Sequence, residues 1–438
     1  MMLFKLPLLC HNSFKRTCFL LIGLLLFINL SALTQTPQPA TLPAPYATKS
    51  TMNFSKVLGW KNGQTPKAPE GFIVSRFADK LDNPRWMYVT PNGDILVAES
   101  NTNHTLVDKI GGKVIGASKS NNQSKSADRI TLLRDTNQDG IPDLRTIFLG
   151  NLNQPFGMLI IGNWLYVANT DAVVRFPYQK GQTQIMGKGQ KVIDLPSGDH
   201  PRHWTRNLIA NADNTKIYVS VGSNTNVAEK GIKEEFKRAG ILEINPDGSG
   251  ERIYASGLRN PMGMGWAVGT KTLWTVVNER DELGDDLVPD YLTSVKDGGF
   301  YGWPYSYFGQ HVDPRVEEKR PDLVAKAIVP DVPLGAHTAS LGLAFYNQKA
   351  FPKKYHNGAF VAQHGSWNRS VLSGYRVVFV PFTNGKPSGK PQDFLTGFMA
   401  DQTKNVYGRP VGVIVLPNGS LLVTDDASNT VWQVSVKK

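Results

Sequence analysis

The sequence predicts an all-β chain, and within that class a six-bladed β-propeller. Three observations carry this prediction. From about Met52 onward the residues fall into short alternating or apolar runs bounded by Gly, Asn, Asp and Pro, the pattern of strands and tight turns. Long amphipathic helical patterns are missing, and the best helical stretch, Glu229–Arg238, is short. One device also recurs six times: a polar lead-in containing Pro or Gly, an apolar strand, a turn, a second apolar strand and a polar lead-out.

The first unit is NPRWMYVTPNGDILVAES from Asn83, and the second QPFGMLIIGNWLYVANT from Gln154. The third, HWTRNLIANADNTKIYVSVGS, starts at His203. The fourth runs from Arg259, with strands expected at Met262–Val268 and Leu273–Val277 about the turn Gly269–Thr272. A looser fifth begins at His337 (HTASLGLAF) and continues through GAFVAQHGSW, and the sixth is RPVGVIVLPNGSLLVTDD from Arg409. The starts lie roughly 50 to 80 residues apart, room for four strands plus insertions in each unit. One such sheet cannot bury both faces alone, whereas six arranged radially can. Gly71–Lys80 and the terminal TVWQVSV are expected to pair in one blade and close the ring.

Hairpin geometry turns this repeat into a functional expectation. The start of one antiparallel strand and the end of its partner are neighbours. All lead-ins and lead-outs should therefore face one mouth of the channel, where loops converge on a rigid scaffold. The lead-ins supply Asn83, Gln154, His203, Arg259, Asn260, His337 and Arg409. The lead-outs supply Glu99, Asn169, Ser223, Asn278, Glu279, Gln363, His364 and Asp425. Many of these polar groups are expected merely to terminate strands.

Composition narrows the setting. Lys5, Lys15 and Arg16 precede the apolar run Cys18–Leu30 and the small residues Ser31 and Ala32, so 1–33 reads as a signal peptide. The run is short for a membrane span, although an uncleaved anchor is the alternative. Residues 34–55 read as a Pro/Thr-rich tether, and 56–438 as a single catalytic propeller domain. The expectation is a periplasmic or extracellular protein with no stable membrane insertion after signal cleavage. Both cysteines, Cys10 and Cys18, fall in the leader, which excludes disulfides and thiolate chemistry from the mature chain. The formal charge of +12, less the three leader cations, leaves +9. The basic residues are scattered, with no basic helix or aromatic-interleaved basic run, which argues against nucleic acid.

Several constellations could carry chemistry. Arg259, Arg369 and Arg409 fall near the mouth, and guanidinium forks aimed at one cavity suit a polyanionic ligand. His203 is a candidate general base, with His200 as its competitor. The loop Asn278–Asp290 holds six acidic residues: Glu279, Asp281, Glu282, Asp285, Asp286 and Asp290. Such a density of hard oxygen donors favours calcium, unless the loop is only a solvated acidic turn. Asp135–Asp143 (DTNQDGIPD) has D-x-N-x-D-G spacing, but Thr146 stands where an EF-hand carries its Glu. It reads as a β-turn, with a weak structural ion as the alternative.

HWTRNL, SGLRNPMG, VVNERDELGDD, GGFYGWP, AQHGSWNR and GRPVGV, in this order, resemble the soluble pyrroloquinoline-quinone (PQQ)-dependent sugar dehydrogenases, more the sorbosone-dehydrogenase branch than the glucose branch. The resemblance runs from about Asp82 to the end of the chain. It implies a six-bladed propeller binding PQQ over calcium (Ca2+) at the channel mouth. It also implies oxidation of a sugar or sugar aldehyde by base-assisted hydride transfer to the quinone. By this resemblance His203 is the catalytic base. Arg259 and Asn260 contact the substrate side and the quinone oxygens, and Arg409 and Asp425 lie at the cofactor in the last blade. Gln154 is the substrate-side glutamine, and the main-chain carbonyls of Arg280 and Asp281 are the calcium ligands. Arg369 stands in for a cofactor-binding lysine that has no clear equivalent.

Two departures stand out. Ser223 occupies the place where the glucose branch has a carboxylate orienting the base, which leaves the orienting group open. The calcium loop also lacks the Gly-Pro of that branch. The implied partners are a small sugar and an electron acceptor, quinone or cytochrome. No Gly-rich dinucleotide fingerprint follows a strand and opens a helix, so nicotinamide is not implied. One rival reading is a calcium-dependent lactonase or esterase on the same propeller, with Glu99, Asn169, Asn278 and Asp425 as ligands. The other is a non-catalytic carbohydrate-binding propeller. Fold alone does not decide among them.

Overall fold

A computed structural model describes residues 41–104, 112–113, 117–120, 124–198 and 203–437. The expected signal peptide, the first part of the expected tether and His200 lie outside these residues. Among the described residues, no helix is long and apolar enough to cross a membrane.

Six antiparallel sheets follow one another along the chain. Blade one is Pro84–Val89, Ile95–Glu99, Arg129–Arg134 and Leu144–Leu149, and blade two is Met158–Ile161, Trp164–Ala168, Ala172–Pro177 and Gln190–Asp194. Blade three is Arg206–Ala210, Ile217–Val221, Gly240–Ile244 and Arg252–Ser256, with Gly299–Phe300 added in parallel as a fifth strand. Blade four comprises Pro261–Trp266, Leu273–Val277, Pro289–Val295 and Val332–Ala336. Blade five comprises Ser340–Phe345, Ala359–Gln363, Arg376–Val380 and Gln392–Leu395. The sixth blade takes Pro410–Val415, Leu421–Asp425 and Thr430–Val436 from the end of the chain and Phe72–Ala78 from its beginning. Phe72 faces Val436 in that pairing, so the ring closes where the sequence places the closure.

The first strand of every blade packs against the first strands of its two neighbours, and Pro410–Val415 meets Pro84–Val89 to complete the circle. Two glycines show how close these strands come. A Cβ on Gly342 would lie 2.4 Å from the Val411 carbonyl oxygen, and one on Gly412 would lie 2.7 Å from that of Arg85. These first-strand glycines are thus a packing requirement between blades. Apolar faces fill the gaps between sheets: Trp86, Phe156, Trp274 and Val361 belong to one buried cluster, and Phe360, Trp432 and Val434 to another between blades five and six.

Local expectations shift in three places. The first strand of blade four ends at Trp266 rather than Val268, with a register shift between Pro261 and Met264. The helical candidate 229–238 is only a 3-10 turn, Ile232–Glu235. Ile232 and Phe236 are exposed, so no apolar face is buried to carry a helix past its costly nucleus. The stretch read as a tether is bound to the propeller from Tyr46 onward. Tyr46 donates its N–H to Leu283 (2.8 Å), Asn53 to Trp367 (2.7 Å), and Lys56–Val57 pairs in parallel with Asn405–Val406. Asp135–Asp143 is a turn between the outer strands of blade one. Its carboxylates accept backbone N–H groups, Asp135 from Gly140 (2.8 Å) and Asp143 from Thr136 (2.7 Å).

Candidate functional site

Register brings lead-ins and lead-outs to one end: Pro84 faces Glu99, Ser340 faces Gln363, and Pro410 faces Asp425. The polar residues there form two clusters, one on blades three and four, the other where blades five, six and one meet.

His203 leads into blade three. Its Nδ1 lies 2.9 Å from the Ser223 carbonyl oxygen and 3.1 Å from Ser223 Oγ. A carbonyl can only accept, and Ser223 Oγ donates its own proton to the Thr225 carbonyl at 2.7 Å. Nδ1 therefore carries the hydrogen, and in the neutral ring Nε2 carries the lone pair. Arg206, in the same HWTRNL motif, donates to the His203 and Thr205 carbonyls at 2.7 and 2.9 Å and fixes the backbone below the ring. Burial and the nearby Arg238 push the Arg206 guanidinium down to about 9.

Asn260 lies beside His203, and Gly222 makes that neighbourhood possible. A Cβ on Gly222 would lie 2.3 Å from Asn260 Oδ1 and 2.6 Å from His203 Cβ. Among the described residues, the buried Asn260 Oδ1 has no hydrogen-bond partner. Such an orphan is costly unless a ligand satisfies it. Gly222→Ala is expected to displace both side chains and lower turnover on the order of 10²-fold while the chain still folds. Unchanged turnover in the folded variant would show that the two side chains need not be neighbours.

Arg259 is buried, and its donors are spent on protein. Nη1 donates to the Glu279 carbonyl (2.7 Å) and the Asn278 carbonyl (3.2 Å), Nη2 to Asn226 Oδ1 (2.9 Å) and Asp281 (3.4 Å), and Nε to the Asn226 carbonyl (3.3 Å). Rather than presenting a fork to a ligand, Arg259 clamps the loop after blade four. The acidic residues of that loop are likewise paired one by one. Asp281 meets Arg259 and His337, Glu282 meets Arg315, and Asp286 meets Arg369. Asp285 accepts from Ser370, and Asp290 takes the N–H groups of Glu279 (2.9 Å) and Ser340 (2.7 Å). Among the described residues no three His, Cys, Asp or Glu side chains are grouped to hold a metal. Each of these carboxylates has a partner in the protein; Asp290 is buried, whereas Asp286 is exposed.

The expected main-chain ligands are also placed. Arg280 is fully buried, with Nε 2.9 Å from Asp313. The Asp281 carbonyl already accepts from Asn226 Nδ2 (3.2 Å) and Arg280 Nη1 (2.5 Å). Burial pushes the Glu279 carboxyl up to about 7, against the Arg280 N–H and Arg259. His337 has acceptors at both nitrogens, Asp281 (3.3 Å) and the Gly284 carbonyl (2.8 Å). Burial opposes its charge, but these partners outweigh it and raise its pKa.

The second cluster is cationic. Asp426 accepts from Arg85 Nη1 at 2.5 Å, Arg409 Nε at 3.1 Å and His364 Nε2 at 2.9 Å. Burial pushes the His364 imidazole down to about 4, with Asp426 pulling it back, so the ring is neutral near pH 7. Two guanidiniums against one carboxylate leave an excess positive charge. Among the described residues the two Nη groups of Arg409 make no hydrogen bond. Arg85 also stacks over Trp204, 5.6 Å from the ring centre, which ties this cluster to the residue next to His203. A cavity of about 280 Å³ lined in part by Asn83, Ser124 and Asn429 reaches Asp426.

The remaining expected residues are accounted for. Asp425 does not join the cations. It is fully buried and accepts from Trp60 Nε1 (2.9 Å), Trp432 Nε1 (3.3 Å) and the N–H of Arg409 (2.8 Å). Gln154 is buried, with Nε2 on the Asn101 carbonyl (2.8 Å) and Oε1 receiving Thr170 (3.4 Å), a link between blades one and two. Arg369 binds the Asp285 carbonyl (3.0 Å), the Val371 carbonyl (3.0 Å) and Asp286 (2.7 Å), holding the acidic loop. Arg85 and Asp426 were missed in the sequence. Side chains alternate along a strand, and Asp425 is in phase with Leu421 and Val423, which pack with Trp432. That phase was the available signal that Asp426, not Asp425, belongs to the other face.

The sequence pattern of a family described as TrAA12-like matches residues 66–289 and 311–437. A protein of Borreliella burgdorferi, itself uncharacterised, is 28% identical over 385 residues, covering 85% of this chain and 92% of that protein. An aldose sugar dehydrogenase of Escherichia coli K12 is 30% identical over 197 residues, 44% of this chain and 46% of that enzyme. Among solved structures, a Trichoderma reesei carbohydrate-active enzyme of family AA12, in an iodide form, is similar with a TM-score of 0.69 at 18% identity, over 86% of this chain and 100% of that one. The holo PQQ domain of a pyranose dehydrogenase from Coprinopsis cinerea is similar with a TM-score of 0.68 at 19% identity, over 87% and 100%. At these identities the structures speak for the propeller fold.

Proposed function

This chain belongs to the TrAA12-like family, and from that premise we propose that it is an exported, PQQ- and calcium-dependent dehydrogenase of a sugar or sugar aldehyde. The observation that carries this reading is one juxtaposition. A histidine held in a single tautomer stands beside a buried amide oxygen that has no partner among the described residues, and next to the tryptophan under a cluster of excess positive charge.

The residues fit such a cofactor. PQQ bears several carboxylates, and Arg409, with Arg85 behind Asp426, offers the guanidinium charge to hold them. Asn260 Oδ1 would accept from a hydroxyl or N–H of whatever lies beside His203. When bound, the quinone supplies the hydride acceptor. The chain's own part is proton removal and positioning. His203 Nε2 takes the proton of the substrate hydroxyl, while the Ser223 carbonyl keeps Nδ1–H in place. A neutral carbonyl stabilises the resulting imidazolium less than a carboxylate would, so Ser223 fixes orientation more than charge. Gln154, Arg259 and Arg369 contribute by holding the loops.

For calcium, the resemblance points to a main-chain turn. The main-chain turn at Arg280 and Asp281 lies beside His203's cluster, braced by Arg259, Asn226 and Asp313. Loading calcium at Asp281 means exchanging its carbonyl's two N–H donors for the metal. The lactonase alternative has less to draw on. Glu99 is locked to Arg129 and Thr131, Asp425 to two tryptophans, and Asn278 lies 3.5 Å from Asp290. A cleaved leader, as the sequence suggests, would place the enzyme in the periplasm or outside the cell. Its electrons would pass to a quinone or cytochrome.

The test is reconstitution of the mature chain with calcium and PQQ, followed by dye reduction against a panel of aldoses and sugar aldehydes. Stoichiometric, calcium-dependent binding with sugar-dependent reduction is the expected result. Absence of PQQ binding in a folded protein would sink the reading and make lactones the next panel.

A further inference from the structure

Ser223 stands where the resemblance expects a carboxylate beside the base, and a buried carboxylate stands one step behind that serine. Glu235 closes the 3-10 turn Ile232–Glu235. It is 7% exposed. Its Oε2 accepts the N–H of Asn224 at 2.7 Å, and its Oε1 accepts the N–H of Thr225 at 3.0 Å and Thr225 Oγ1 at 2.8 Å. The Thr225 carbonyl in turn accepts from Ser223 Oγ (2.7 Å), and Ser223 presents its carbonyl and Oγ to His203 Nδ1. The route from Glu235 to the imidazole is thus three short contacts, all among residues that are buried or, for His203, partly buried.

We propose that Glu235 is the positioning residue of the base, acting through the 223–225 segment that fixes the His203 tautomer. The proposal rests on the reading of His203 as general base. Three donors converge on Glu235, two of them consecutive backbone N–H groups, and a carboxylate satisfies them all because it offers no donor of its own. A glutamine there must set an NH₂ against an N–H, and an alanine leaves buried donors orphaned, at a cost comparable to lost hydrogen bonds. The turn bearing Glu235 exposes its apolar members, Ile232 at 43% and Phe236 at 68%, so core burial does not explain why it docks. The hydrogen bonds of Glu235 hold it, together with the Lys237–Glu251 ion pair (2.8 Å). In the glucose branch the resemblance puts a carboxylate where Ser223 stands here; Glu235 acts one turn removed, orienting the ring through a peptide group.

The experiment uses the folded mature protein with and without PQQ and calcium. Long-range ¹H–¹⁵N correlation of the His203 ring, in the protein without cofactor, is expected to show the Nδ1-protonated tautomer. In Glu235→Gln it is expected to show a mixture of tautomers. In the reconstituted enzyme Glu235→Gln should lose on the order of tenfold or more in kcat, with KM and PQQ affinity unchanged. A wild-type tautomer together with wild-type kcat in Glu235→Gln overturns the proposal. His203→Ala separates the two readings: full activity in that variant removes the base itself, whereas its inactivity beside a normal Glu235→Gln removes only the role of Glu235. Should Glu235→Gln not fold, Thr225→Val takes its place, since it deletes one of the three donors at similar volume. It should show a smaller kcat loss at constant KM, and a wild-type kcat would count against the proposal.

Discussion

His203→Ala is expected to lower kcat of the reconstituted enzyme by a factor on the order of 10² to 10⁴, the range that a positioned general base supplies. PQQ affinity should stay close to wild type. His203 touches Ser223 through Nδ1, and the proposed anchor for the cofactor carboxylates, Arg409 with Arg85 and Asp426, is assembled without the imidazole. Folding should also survive. Arg206 binds the His203 carbonyl, not its ring, and that bond persists in the variant. Titration with PQQ followed by turnover measurement separates binding from chemistry. Near-normal turnover would show that another group removes the proton.

Asp426→Ala is the substitution with the largest expected cost in stability. It strips the shared partner from Arg85, Arg409 and His364 at once. Removing one member of a buried ion pair costs about 3–5 kcal/mol, because the charge left behind has lost both water and partner. Burial alone would raise the Asp426 carboxyl, but Arg409, His364 and Arg85 outweigh it and hold it well below the carboxylate range. A depressed folded-state pKa stabilises the fold above the unfolded value of about 4 and is lost as the pH falls through the folded value. The gap between wild type and variant should therefore be full at pH 7 and narrow only in strong acid. Urea unfolding at several pH values measures it. A midpoint within error of wild type at pH 7 would mean that the two guanidiniums find other partners.

The two predictions differ in what made their residues visible. His203 stands at the head of a recognisable strand motif, and its place at the mouth follows from local chain geometry. Asp426 is the last residue of the sixth unit, directly after Asp425, and composition treats the two alike. Only strand phase separates them: Asp425 turns toward Trp60 and Trp432, and Asp426 toward the arginines. Arg259 shows the opposite case. Its position was legible, but its donors are consumed by the Asn226, Asn278 and Glu279 segments, and a count of arginines near a cavity does not reveal that. The acidic loop 278–290 teaches the same point, since each carboxylate that suggested a cation has a protein partner.

From the sequence by itself came the class, the number of blades, the closure of the last blade by both ends of the chain, and the end of the propeller at which the polar residues gather. All of these rest on short-range rules: alternation along a strand, turn residues between strands, and the adjacency of a hairpin's two ends. The tertiary structure decided which of those polar residues are spent and which are left for a ligand. Arg85 meets Asp426 across 341 residues of chain, and Thr48 takes the N–H of Asp285 across 237. Glu235 reaches the base through backbone groups that carry no side-chain signature. No local pattern encodes such pairings, because they are set by how six sheets pack around one axis.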